Sequence, residues 1–382
     1  MSRLFRLCFA LASSALFLGE GASLLHGQEL EPPSPEEVEA ARSAPLFTSH
    51  DALELTIEAD FHTIRREDRS QDSQEERPAV LRWTTADGST GSLEIQVRTR
   101  GDFRLSRRNC DFPPLRLNLK KGSTKGTLFE GQDKLKLVVT CKLGQDYWEQ
   151  YVLLEYMAYR TLNVLTDISF RARLARVTYL DTSGEDDTFT RFAFLIEDAE
   201  VMALRQSARE VEWVAGQLDP RLLERHQAIV ADVFQYMIGN TDWSGVEMHN
   251  MALIRTFDGV PHTVPYDFDF SGLVNARYAS PAPSLDIRRV RERLFRGFCP
   301  EDVHRSQSDY DAVYALFLEK KDEIYEMWRS LEGLEPDRLE DTLEYFDDFY
   351  ETIGDPRRIE GRMIRRCRRI PGRLPEEWPP PG

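Results

Sequence analysis

Asp242, Asn250, Asp267 and Asp269 fall in one short stretch of chain, each beside an apolar run: Phe234 to Asp242, then His249-Asn250, then Pro265-Tyr266-Asp267-Phe268-Asp269. Three short-armed carboxylates and a carboxamide are hard oxygen donors of the kind that Mg²⁺ or Mn²⁺ takes. Phosphoryl transfer needs such donors, a carboxylate beside the attacking hydroxyl, and a cation on the phosphates. Asp242 follows a helix end and a Gly-Asn-Thr turn, with Gly239 placed to stop the helix. Asn250 opens a strand. Asp267 and Asp269 share a face if their segment is extended. A hairpin turning at Asp258-Gly259 brings Asn250 near Asp267. The spacing predicts a metal-centred cluster of Asp242, Asn250 and Asp267, with Asp269 in reach.

The elements that must position these residues are legible from periodicity. Alternation of period two marks strands at Leu53-Leu55-Ile57, at Leu81-Trp83 and Leu93-Ile95-Val97 around an Ala86-Asp87-Gly88 turn, at Leu115 to Leu119 and at Leu135 to Val139. This is an antiparallel β-rich segment. Apolar residues at three- and four-residue spacing then predict a helix from Tyr147 to Leu162, followed by strands at Ala172 to Tyr179 and Phe189 to Ile196. Beyond Glu200 the pattern is helical: Leu222 to Ile238, Arg291 to Phe298, Asp309 to Phe317, Asp322 to Leu331 and Asp337 to Ile353, with the short strands Met251 to Ile254 and Val264 to Phe268 between. The fold class is α+β.

The helix ending Ile238-Gly239-Asn240-Thr241-Asp242, the later Asn250 and the strand ending Tyr266-Asp267-Phe268-Asp269 resemble the catalytic and metal-binding loops of the spore coat protein H kinase-like family. Arg98-Thr99-Arg100-Gly101-Asp102 and Phe194-Leu195-Ile196-Glu197-Asp198 are similar to that family's Arg-Gly strand end and its returning strand, so the likeness covers roughly Leu93 to Val274. It implies a two-lobed protein-kinase-like fold, with a β-rich N-lobe over 49–200, a mainly helical C-lobe over 201–356 and a basic tail over 357–382. It implies Mg²⁺- or Mn²⁺-dependent phosphoryl transfer from ATP to a hydroxyl on a protein or small molecule. Asp242 becomes the catalytic carboxylate; Asn250, Asp267 and Asp269 become metal ligands. Lys136, on the strand before the first helix, becomes the phosphate cation, with Glu155 or Glu149 of that helix as its partner. Lys134, Arg98 and Arg116 are further phosphate-binding candidates. The chain departs from the family in two places: seven residues separate Asp242 from Asn250, a longer gap, and Trp243 follows the aspartate. A catalytically inactive binding or structural module is the alternative these departures favour. A metal-dependent hydrolase or transferase using His249, Asp242, Asp267 and Asp269 is a third reading. The Lys120 to Gly126 loop lacks the spacing of a phosphate loop and reads as a polar turn.

Bulk properties narrow the partners. The 382 residues carry 49 Lys and Arg against 65 Asp and Glu, a net charge of −16. A body this acidic repels nucleic acid, which is not expected as a partner. Arg3 and Arg6, the apolar run Leu7 to Leu18, and Gly21-Ala22-Ser23 make a signal-peptide pattern over 1–27, with a linker over 28–48. The expected location is secreted or periplasmic, with no further membrane contact; an uncleaved N-terminal anchor is the alternative. Cys110, Cys141, Cys299 and Cys367 remain after cleavage, and four cysteines allow three pairings.

Overall fold

In the computed structural model the described residues are 31–370, apart from 71–73, 121 and 213–217. The expected signal segment and the last residues of the tail lie outside them. The fold falls within one unit, Pro32–Gly382.

In chain order the elements are α1 (Pro35–Arg42), β1 (Leu53–Ala59), α2 (Phe61–Arg66), β2 (Arg77–Thr84), β3 (Thr90–Thr99), β4 (Leu115–Leu119), β5 (Lys134–Val139), α3 (Tyr147–Leu165), β6 (Ala172–Asp181) and β7 (Phe189–Ile196). There follow α4 (Ala199–Arg205), β8 (Ala208–Glu210), α5 (Arg225–Met237), β9 (Met251–Thr256), β10 (Pro261–Pro265), α6 (Gln307–Glu319), α7 (Lys321–Arg329), α8 (Pro336–Ile353) and α9 (Pro356–Arg362). The segment after the signal pattern is more ordered than a linker. Ser34 and Glu37 form a reciprocal cap on α1, which buries Val38 and Ala41.

The two-lobed kinase-like fold is not what the chain adopts. The N-terminal strands close into a seven-stranded barrel in the order β1-β2-β3-β4-β5-β7-β6, and the C-terminal region is mostly helical. Closure comes from β1 pairing parallel with β6, from Leu53 opposite Ala175 to Ala59 opposite Asp181. The barrel is therefore mixed, and neither β1 nor β6 is left with a free edge. The period-two leucines supply its interior: Leu55, Ile57, Leu81, Ile95, Val97, Leu117, Leu137, Val177 and Leu195 are buried there with Phe112 and Phe129.

A second core lies outside the barrel wall. The outward residues Val138, Leu174, Phe194 and Ile196 meet α3, and through it α5, α6, α7 and α8. The indole of Trp328 on α7 donates to the Thr161 hydroxyl on α3 at 3.0 Å, fixing the helical part to the helix that lies on the barrel. The helix expected over Arg291 to Phe298 does not form, because its arginines serve elsewhere. Arg291 donates to the Gly272 carbonyl, Arg293 to those of Met237 and Tyr345, and Arg296 to that of Thr241. Tertiary hydrogen bonds override the local period.

The cysteines pair Cys110–Cys141 and Cys299–Cys367. Both bonds are compatible with an extracellular or periplasmic protein. Among the described residues no helix is long and apolar enough to cross a membrane. The second disulfide spans 68 residues of separation. Loop-closure entropy for that length predicts that Cys299→Ser with Cys367→Ser lowers stability by about 4 kcal/mol. Non-reducing urea denaturation measures it; a loss below about 1 kcal/mol would show that the unfolded chain is not restrained by this bond.

Candidate functional site

The site begins where α5 stops. Gly239 has a φ of +63°. Its N–H donates to the Tyr236 carbonyl at 3.1 Å and the Asn240 N–H to that of Gln235 at 2.9 Å, the paired bonds of a left-handed helix stop. The next turn is then held from three sides. Gly272 and Leu273 donate backbone N–H groups to the carbonyls of Gly239 and Ile238 at 3.0 and 2.9 Å. The Tyr345 hydroxyl sits where a Cβ on either Gly239 or Gly272 would lie. The Asn240 side chain accepts the Asp242 N–H at 2.9 Å. Asp242 is thus presented on a braced turn, with its carboxylate about half exposed.

The long gap to Asn250 closes on itself. Ser244 and His249 exchange two backbone hydrogen bonds, at 3.0 and 3.1 Å, so the residues between them form a small closed loop. Asn250 consequently lies against Asp242. Its amide donates to the Asp242 carbonyl at 2.7 Å and to Oδ2 at 3.1 Å, leaving the amide oxygen free to accept or ligate. His249 Nε2 is 3.1 Å from Asp242 Oδ1. The extra residues do not separate the two side chains. Met248 and Asn250 carry left-handed φ values of +50° and +54° to make this return, a cost that concentrates at functional turns.

Asp267 and Asp269 are brought in by a turn, not by the strand that the sequence suggests. β10 ends at Pro265. The Tyr266 N–H donates to the Asn250 carbonyl at 3.1 Å, and Asp267 then turns with a φ of +62°, its N–H held by the Tyr159 hydroxyl at 2.9 Å. The left-handed residue breaks the extended alternation. Asp269 turns inward and is buried, accepting from the Tyr278 hydroxyl at 2.9 Å. Glu155 of α3 is buried in the same cluster. Burial and the neighbouring Asp267 push the Asp269 carboxyl up to about 7. Burial, then Asp269 and Asp267, hold Glu155 well above the usual carboxylate range. Arg104 opposes both shifts. Nothing in the sequence pattern singled out Arg104; its loop is tied down by the Cys110–Cys141 bond and by its own contact with the Val139 carbonyl.

Lys136 reaches this turn from the barrel wall. Its ammonium lies 4.9 Å from the centre of the Tyr266 ring. Burial, then Arg100, lower its pKa, and Asp267 is the chief influence holding the proton on. No ion pair within 4 Å joins Lys136 to Glu155 or Glu149 among the described residues. Glu149 instead holds Arg191 at 3.2 Å and the Phe192 N–H at 2.8 Å. The register places Arg98 opposite Arg116, and Arg116 opposite Lys136, as a cationic row across β3, β4 and β5. Like charges directly opposite destabilise a sheet by roughly 0.2–1 kcal/mol a pair. The Arg116 Nε is buried without a partner, and a bound anion would relieve both costs. Lys134 lies on the same face and is exposed. In the loop between Lys120 and Gly126 the Ser123 N–H donates to the Lys120 carbonyl and the Gly126 N–H to the Glu130 carboxylate.

Asn250, Asp267 and Asp269 offer oxygen donors, and the Asn250 carbonyl is hydrogen-bonded to the Tyr266 N–H beside Asp267. This fits a hard cation that keeps several waters, as Mg²⁺ does. Among the described residues no three His, Cys, Asp or Glu side chains converge on one metal position, so neither the hydrolase set of His249, Asp242, Asp267 and Asp269 nor the expected gathering of Asp242, Asp267 and Asp269 about one metal is preassembled. The raised Asp269 carboxyl sets a pH dependence. A metal bound there displaces the proton, so Mg²⁺ affinity is expected to rise with pH up to about 7 and then level. Metal-free stability runs the other way: the folded state binds a proton that the unfolded state has lost, so it falls as pH rises from about 4 to 7. Calorimetric Mg²⁺ titrations at pH 6 and 8 check the first; equal affinities would remove Asp269 from the metal's surroundings.

No protein-family model matches the chain, and neither does any curated protein.

Proposed function

We propose that the chain transfers a phosphoryl group from Mg²⁺–ATP to a hydroxyl-bearing acceptor, outside the cytoplasm. The observation that carries this reading is the closure of the Ser244–His249 loop, which sets Asn250 against Asp242, while the Asn250 carbonyl holds the Tyr266 amide beside Asp267. Asp242 orients the acceptor hydroxyl and takes its proton as the new O–P bond forms and the bond to ADP breaks; His249 steadies the carboxylate. Asn250 and Asp267 hold the metal, with Asp269 beside it. A metal there neutralises phosphate charge. Lys136, Arg116 and Arg98 bind the phosphate oxygens along the barrel wall. The N-terminal signal pattern and the two disulfides support export.

The test is a calorimetric titration of ATP with Mg²⁺ or Mn²⁺, followed by an assay of ADP release. Micromolar binding that disappears in Asp267→Ala supports the reading. Binding without turnover on any hydroxyl acceptor identifies the inactive nucleotide-binding module instead. No binding at any metal concentration overturns the proposal.

A further inference from the structure

The edge of the Asp242 turn carries two arginines that the phosphoryl-transfer reading does not use. Arg296 donates to the carbonyl of Thr241, the residue before Asp242. Arg368 is held beside it by the backbone: its N–H donates to the Gly297 carbonyl and its carbonyl accepts the Cys299 N–H, both at 2.9 Å, next to the Cys299–Cys367 disulfide. The Arg368 guanidinium lies over the Phe298 ring, 5.3 Å from its centre.

Neither guanidinium has a carboxylate within 4 Å among the described residues. The nearby Asp232 is already paired with Arg305 at 3.0 Å, both buried. Four of the six other described arginines of the tail are paired, Arg357 and Arg366 being the exceptions. Arg358 pairs with Glu351, Arg362 with Asp348, Arg365 with Glu360, and Arg369 with Glu301 and Asp302. In a chain of net charge −16, Arg296 and Arg368 lie beside one another through the Arg368–Gly297 backbone bond, and Asp242 and Asp232 act on them only from beyond ion-pair distance. A disulfide and a backbone bridge hold them there. Arginine is the residue suited to planar, two-pronged binding of carboxylate or phosphate.

We infer that Arg296 and Arg368 form an acceptor subsite for an anionic group, a carboxylate or a phosphate, carried close to the hydroxyl that Asp242 serves. This rests on the transferase reading for the role of Asp242. The body's negative charge repels such an acceptor at long range. That repulsion is screened beyond about 8 Å at physiological salt, so the local arginine pair decides binding there.

Three fluorescein-labelled serine peptides test this by anisotropy on the full chain without nucleotide: one with glutamates beside the serine, one with a phosphoserine there, and one with glutamines. The glutamate or phosphoserine peptide is expected to bind roughly tenfold more tightly than the glutamine peptide, the effect of one charge-assisted contact. Arg368→Gln should abolish that preference, and Arg368→Lys should restore part of it. Arg365→Gln, on the same tail, should leave it intact. Tighter binding of glutamate alone or phosphoserine alone assigns the anion. Equal binding of all three peptides, or a preference that survives Arg368→Gln, overturns the inference. So does full displacement of the bound peptide by Mg²⁺–ATP, which would make the arginines nucleotide contacts. A chain that binds no Mg²⁺–ATP yet shows the arginine-dependent preference would sink the transferase reading and leave the anion site standing.

Discussion

Asp242→Asn is expected to lower phosphoryl transfer by about 10²–10⁴-fold, the range of a positioned proton acceptor, while Mg²⁺–ATP binding stays within about threefold. The two effects separate because of where Asp242 stands. Its oxygens meet His249 at 3.1 Å and the Asn250 amide at 3.1 Å. An asparagine keeps the shape and turns its oxygen to Asn250 and its NH₂ to His249. The turn itself rests on backbone bonds and on Asn240, so the substitution removes a base without moving the loop. Asp267→Ala is expected to behave in the opposite way, losing nucleotide binding first. It also removes the like charge that raises Asp269 and Glu155, so the Asp269 carboxyl moves down. Steady-state ADP release and calorimetry on both variants measure the split. An Asp242→Asn protein retaining more than a tenth of the turnover would show that this carboxylate takes no proton.

The second large effect is on stability. Gly239→Ala is expected to cost about 2–4 kcal/mol, combining a left-handed residue with a side chain and a steric overlap. The added Cβ collides with the Tyr345 hydroxyl, and that oxygen also fills the space against Gly272. The ring cannot simply retreat, because Arg291 and Arg293 stack on it at 4.2 and 3.6 Å from its centre. Tyr345→Phe alone loses the hydroxyl's 3.3 Å bond to the Arg291 carbonyl, worth about 1 kcal/mol. The double variant should cost less than the sum, since it lacks the atom that the Cβ strikes. Urea unfolding of the four proteins gives the cycle. Strict additivity would mean that the backbone conformation alone, and not the tyrosine wedge, makes glycine necessary here.

These two residues also show how far the sequence reached. Gly239 was legible as a helix stop because a glycine after an apolar helical period is a local signal. Asp242, Asn250 and Asp267 were legible as a candidate set because short oxygen-bearing side chains beside helix and strand ends are a matter of residue type and spacing. The strands of the barrel and the long helices α3, α5 and α8 followed from period two and period 3.6, which depend only on near neighbours.

What the tertiary structure decided is everything that depends on distant partners. Leu53 faces Ala175 across a parallel pairing, which closed the barrel and ruled out the two-lobed architecture. No alternation inside either strand specifies which edge it will meet. The arginines from Arg291 to Arg296 had a helical period, and lost it to carbonyls far along the chain. The loop from Ser244 to His249 turned an unfavourable spacing into a direct contact. Asp267 and Asp269 were expected on one strand face and are joined instead by a left-handed turn around buried side chains. Lys136, Arg98 and Arg116 were named from the sequence as candidate cations, but their alignment as one row across three strands came only from the register; Arg104, Arg296 and Arg368 were not singled out, because their surroundings depend on residues far along the chain. By itself the sequence determined most of the elements and offered the candidate donors they carry. The fold determined which of those side chains lie together and which cations have no carboxylate partner among the described residues, because that depends on edge pairing, burial and charge balance between residues far apart in the chain.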